Sequence, residues 1–191
     1  MGRPLSAARA AGRGFTLIEM LIVLAIGAIV LAMGLPNLTE FVADQRVRTA
    51  QSDLVGELTY VRAEAIKNAA RVTMARSGAT WKDGWRIFVD ANANGVLDVG
   101  EALLRTAAGP GGGAFKICAT HADFADGISF RADGRVVRAG VASAADGLRV
   151  SDNRADANPA NDKIRSVYLD LTGRPTVVRQ NGGTNGGAPC P

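Results

Sequence analysis

Residues 15–35 read FTLIEMLIVLAIGAIVLAMGL, twenty-one positions with one charged side chain, Glu19. At about 1.5 Å rise per residue this run makes roughly 30 Å of helix, the thickness of a bilayer's hydrocarbon core. A buried core helix is the poorer reading, because few soluble domains of this size cover so long an apolar run on every side. Upstream lie Arg3, Arg9 and Arg13 and no acid before Gly14, a pattern that puts the leader on the cytoplasmic side and sends the C-terminal bulk outward. A cleaved secretory signal would end its apolar stretch in a small-residue site of the A-x-A kind. Here Met33-Gly34-Leu35-Pro36 runs straight into an amphipathic pattern instead. A plain membrane anchor stays open as a rival.

Glu19 separates a plain anchor from something more specific. A carboxylate within the hydrocarbon region costs about 2.5–3.5 kcal/mol on insertion scales, so it calls for a partner or a function. A cut between Gly14 and Phe15 creates an α-amino group four residues from Glu19, bringing opposite charges to one depth in the membrane. Within one helix the two groups lie about one turn apart. Between stacked subunits the amine of one chain meets the carboxylate of the next, which neutralises both and sets the axial stagger.

The 191 residues suit one modest globular domain and an appendage, and 47% apolar composition is enough for a core. Without the three leader arginines the 22 basic residues fall to 19 against 18 acids, net +1. Whole-chain basicity is therefore no argument for a nucleic-acid partner. Beyond Pro36, Val47, Ala50, Leu54, Leu58, Val61 and Ala65 recur every three or four residues with charged residues between them. They predict an amphipathic helix ending near residues 67–70. Short strands are then expected over 71–76, 84–90, 102–106, 115–118, 127–131, 135–138, 148–151, 165–171 and 175–179, with loops at 109–113, 153–162 and 182–187. The organisation expected is a leader 1–14, a transmembrane and assembly helix 15–36, and a head 37–191, helical over 37–70 and β-rich over 71–191.

Gly14-Phe15-Thr16-Leu17-Ile18-Glu19 ahead of a long apolar run resembles the cleavage and methylation signature of type IV prepilins and type II secretion pseudopilins. The stretch Trp81-Lys82-Asp83-Gly84-Trp85-Arg86-Ile87-Phe88-Val89-Asp90, with Asn92, Asn94, Gly95 and Leu103-Leu104-Arg105, resembles the head of the GspH/FimT class of minor pseudopilins. The resemblance covers roughly residues 12–106. It implies an α+β, pilin-like fold: a long N-terminal helix, half transmembrane and half amphipathic, on an antiparallel β-sheet. It further implies cleavage after Gly14 by a prepilin peptidase that N-methylates Phe15, an assembly role for Glu19, and a helix kink at Pro36. The implied partners are that peptidase, other pilins or pseudopilins and an inner-membrane assembly platform. The implied place is a single pass of the bacterial inner membrane with the head in the periplasm, then a filament. Members of the class are low-abundance subunits at or near the filament tip that help start it, and they are not enzymes.

Three further patterns carry chemistry. Asp90-Ala-Asn92-Ala-Asn94-Gly95-Val96-Leu-Asp98-Val-Gly-Glu101 fits D-x-[DN]-x-[DN]-G-x₅-E, a calcium-loop spacing in which Asp90, Asn92, Asn94, Asp98, Glu101 and the Val96 carbonyl are the ligands. Strands rather than helices flank it, and Asn-Gly is also a hairpin signal, so a structural hairpin competes with a Ca²⁺ site and no other cofactor is expected. Cys118 and Cys190 suit one disulfide outside the cytoplasm. Cys118-x-x-His121 as half a metal site has no further histidine to complete it, and the same scarcity disfavours nucleophilic catalysis. Arginines gather toward the C-terminus. In the FimT branch some proteins bind DNA during uptake through a C-terminal G-R-x-R segment. The nearest matches here are Gly134-Arg135 with Arg138 and Gly173-Arg174 with Arg179, at different spacing. A DNA-binding minor pilin and a membrane-tethered calcium module are thus the alternatives to a structural subunit.

Overall fold

The computed structural model describes residues 14–110, 115–137, 146–152, 164–180 and 190, without the side chains of residues 34–37 and 180. The expected leader up to residue 13 and the loops at 111–113, 153–162 and 182–187 lie outside the described residues. The chain divides into two compact units, Met1–Val42 and Ala43–Pro191. Helix α1, Leu17–Lys67, is assigned without a break, and its two parts obey different rules.

In the first unit α1 starts because Thr16 caps it. The Thr16 hydroxyl accepts the Glu19 N–H at 3.2 Å, a donor the helix start otherwise leaves orphaned, and the Thr16 carbonyl accepts Met20 N–H at 3.2 Å as the first intrahelical bond. From Phe15 to Met33 the large apolar side chains are all exposed, and an eighteen-residue window has a mean hydropathy of 2.6. This helix is long and apolar enough to cross a membrane.

In the second unit the apolar stripe does what its period predicts. Val47, Ala50, Leu54, Leu58, Val61 and Ala65 are buried, four of them completely. They pack on Val72, Met74 and Ile87 from one sheet and Leu148, Val150 and Val167 from another. The helix ends in a Schellman motif: Ala70 N–H bonds the Ala65 carbonyl, Ala69 N–H bonds Ile66, and Ala69 takes a left-handed φ of 46°. Asn68 and Lys67 close on Glu64, whose carboxyl is held below its ordinary value by Lys67.

The antiparallel sheet expected on the helix is present and, among the described residues, is divided into two sheets of four antiparallel strands each. The strands are β1 (Val72–Arg76), β2 (Trp85–Val89), β3 (Leu103–Ala107), β4 (Phe115–Ala119), β5 (Gly127–Phe130), β6 (Gly147–Asp152), β7 (Ile164–Leu169) and β8 (Pro175–Gln180). The orders are β3-β2-β1-β5 and β4-β6-β7-β8. Eight of the nine expected strands form, with ends shifted by a residue or two. The ninth, 135–138, does not: its described part makes only the Phe130–Val136 bridge, because residues 131–135 are spent on a tight turn, and Arg138 lies outside the described residues.

The second sheet is tied to the chain's end by the Cys118–Cys190 disulfide, with Lys116 Nζ donating to the Cys190 carbonyl at 3.2 Å. Closing 72 residues of sequence separation stabilises by about 4 kcal/mol on the chain-entropy estimate.

Ala69 occupies a backbone position that favours glycine. Ala69→Gly is therefore expected to raise stability by about 1 kcal/mol, a shift of about 2–4 °C in the thermal midpoint of the detergent-solubilised chain. An unchanged or lower midpoint contradicts the strain assigned to that residue.

Candidate functional site

The N-terminal site is built on an accessible peptide bond. Gly14 precedes the helix, a Cβ built on it meets nothing within 4 Å, and Phe15 is 77% exposed. Thr16 then fixes Glu19 at the third helical position, where the unpaired N–H groups and the helix dipole favour a carboxylate. Sequence reasoning placed Glu19 but missed the cap, although Thr16-Leu-Ile-Glu19 has the capping-box spacing. The arrangement places the carboxyl-bearing Glu19 one turn from the position where a new amine would arise. Pro36 lies within the α1 assignment, and its side chain is outside the described residues.

The calcium-like positions come together in the β2–β3 loop, between strands as expected. Asp90, only 1% exposed, accepts from Thr73 Oγ1 at 2.8 Å, Asn94 N–H at 3.0 Å and Gly95 N–H at 3.1 Å. Glu101 accepts from Ala91 N–H at 2.9 Å and Asp98 N–H at 3.0 Å. Asp98 Oδ2 takes the amides of Asn92 and Asn94 at 2.6 and 2.7 Å, and these two bonds hold its carboxyl below the usual range. Asn92 Oδ1 and Asn94 Oδ1 cap Asn94 N–H and Val96 N–H. The loop's own donors reach these oxygens and hold the β2–β3 connection together. Its tip reaches over the outer face of the first sheet, where Ala93–Val96 line a cavity of about 490 Å³ with Thr73 and Ser129. Phe88 and Thr73, which alternate to that outer face, are fully buried.

The arginines split. Arg138 is outside the described residues, and Arg179 sits far along β8, opposite Arg165. Arg135 and Arg174 are brought together by two turns of one design, which sequence reasoning did not foresee. In one, Gly134 N–H bonds the Arg131 carbonyl and Arg131 N–H bonds Arg135; in the other, Gly173 N–H bonds Asp170 and Asp170 N–H bonds Arg174. Both glycines have φ of 77°. These are three-residue hairpins closed by a left-handed glycine. A Cβ on Gly173 would come within 2.3 Å of the Gly134 carbonyl, so the turns touch. Arg62 Nε of α1 donates to that same carbonyl at 3.0 Å. Asp170 Oδ1 accepts from Thr172 Oγ1, Thr172 N–H and Arg174 N–H, led by the Thr172 hydroxyl in keeping the carboxyl below its usual value.

His121 Nδ1 accepts from Asp123 N–H at 3.2 Å and caps a short 3₁₀ turn, Ala122–Phe124. Both thiols are consumed in the disulfide. The cavity beside it, about 830 Å³, is lined by Trp81, Lys82, Lys116, Cys118 and His121 among others.

Comparison with known proteins bears on all of this. The family described as type II transport protein GspH matches residues 50–173, well over half of the chain. The prokaryotic N-terminal methylation motif matches residues 9–35. Pilin-like protein PilA1 of Thermus thermophilus is 38% identical over 103 residues, covering 52% of this chain and 62% of that relative's length. The type IV minor pilin FimU of Pseudomonas aeruginosa superposes with a TM-score of 0.53 at 19% identity, over 70% of this chain and 89% of that one, a likeness of fold.

Asp90 organises the loop from a buried position. Asp90→Ala strips three donors of their acceptor and is expected to destabilise the chain by about 2–4 kcal/mol in urea unfolding. A loss below about 0.5 kcal/mol contradicts that role.

Proposed function

The chain belongs to the GspH family of type II transport proteins, and from that premise we propose that it is a minor, initiating subunit of a type II secretion pseudopilus or type IV pilus. The family is structural, its members assembling with other pilins. In this reading a prepilin peptidase cuts between Gly14 and Phe15 and methylates the new amine. The head faces the periplasm, and an inner-membrane platform lifts the apolar helix out of the bilayer into the filament.

The observation that carries the reading is the uncovered apolar surface of α1 with a lone carboxylate at its capped start. Such a surface cannot stay in water: at about 25 cal/mol per Å² it demands lipid or other helices. Glu19 costs energy in lipid alone and is relieved when a Phe15 amine reaches it, and in the filament that amine is a neighbour's. Lipid serves the helix while the subunit waits, and neighbouring helices serve it in the filament.

The test is the mass of the N-terminus of the protein isolated from its native host. The expected chain begins at N-methylated Phe15. Intact residues 1–14 overturn the proposal.

A further inference from the structure

The touching Gly-Arg turns hold two cations where their own acids are already engaged. Asp170 is bound within its turn by Thr172 and Arg174 N–H. Asp133 accepts Arg135 N–H at 3.0 Å and lies 3.9 Å from Arg131 Nε. Among the described residues the exposed Arg135 and Arg174 guanidiniums have no acidic partner. Beside them two apolar side chains face solvent, Ile66 at 50% and Leu171 at 64% exposure. Ile66 belongs to the same cluster, since a Cβ on Gly134 would come within 2.8 Å of its Cδ1. The backbone beneath is rigid, because each turn is closed by two main-chain bonds and the pair is pinned to α1 by Arg62.

We propose that this patch is a docking surface for an acidic, apolar-flanked segment of another filament subunit. The proposal rests on the assembly reading given above and names where, on the head, that assembly makes a specific contact. Arginines on a fixed backbone beside exposed aliphatic side chains are the composition of protein–protein hot spots. Nucleic acid is the poorer fit. Non-specific binding to DNA rests on many phosphate contacts, and here Arg62 is spent on the Gly134 carbonyl and Arg131 lies beside Asp133, which leaves Arg135 and Arg174 as the two cations without an acid. The apolar pair contributes nothing to a phosphate backbone, whereas a peptide carboxylate set between aliphatic residues uses both halves of the patch. The carboxylate takes Arg135 and Arg174 in charge-assisted bonds, and its neighbours cover Ile66 and Leu171.

The experiment places a photoreactive amino acid at Leu171 in the full chain, in its native host, and a second at Leu24 in the apolar helix as the control for assembly. The expected Leu171 adduct is a peptide bearing Asp or Glu from a different chain that carries the N-terminal methylation motif. The double change Arg135→Glu and Arg174→Glu is expected to lower that adduct on the order of tenfold while leaving the Leu24 adducts and the thermal midpoint unchanged, whereas Arg135→Lys with Arg174→Lys retains most of it. A Leu171 adduct with nucleic acid, an adduct indifferent to charge reversal, or none while Leu24 still joins neighbouring subunits overturns the docking surface and leaves the assembly reading standing. Loss of pilin adducts at both positions in the unreversed chain overturns both.

Discussion

One helix has to satisfy two solvents, and that constraint organises the molecule. Residues 15–33 present apolar side chains in every direction, while 47–65 present them along one stripe. The stripe is covered by strands of the same chain, so the second part of α1 is the core of a head. The first part exposes its apolar side chains along its length, so its stability is a property of what surrounds it. In the proposed filament Glu19 turns that dependence into a preference, because a carboxylate on an apolar helix is penalised in lipid and relieved by a cation at the same level.

The head provides rigidity by local means. Schellman closure, paired glycine hairpins, the self-bonded β2–β3 loop and the Cys118–Cys190 link each fix a piece of backbone that hydrophobic burial alone would leave loose. Arg105 adds a long-range tie, reaching Glu57 of α1 at 3.3 Å and lying 5.5 Å from the Tyr60 ring. Such a ion pair at a half-exposed arginine is worth little by itself and mainly orients β3 against the helix. These devices suit the structural role proposed above, in which the head holds surfaces in place.

Much of this was legible in the sequence because it is local. A uniform apolar run, a three-four periodicity and short apolar runs bounded by turn residues each depend on neighbours in the chain, and the helix and eight strands follow from them. Strand partnership depends on residues far apart, so the division into two sheets could not be read from turn signals. For the same reason the contact between Gly134 and Gly173 was invisible, although both Asp-Gly-Arg and Thr-Gly-Arg announce turns. The Asp90–Glu101 spacing is ambiguous for a different reason: oxygens that can ring a cation can equally accept backbone N–H groups, and the pattern of residue types does not say where those donors point. Residue 135–138 looked like a strand because a glycine-closed hairpin and a strand share the arginines and valines that follow the turn.

In the proposed filament the Glu19 carboxylate, carried at the capped start of α1, selects neighbouring subunits over lipid. Glu19→Gln keeps the shape and removes the charge, so its incorporation into filaments purified from the native host, set against its abundance in the membrane, is the direct measurement. The account predicts a variant that inserts and is processed like the parent yet enters filaments on the order of tenfold less. Equal incorporation of the two chains contradicts it.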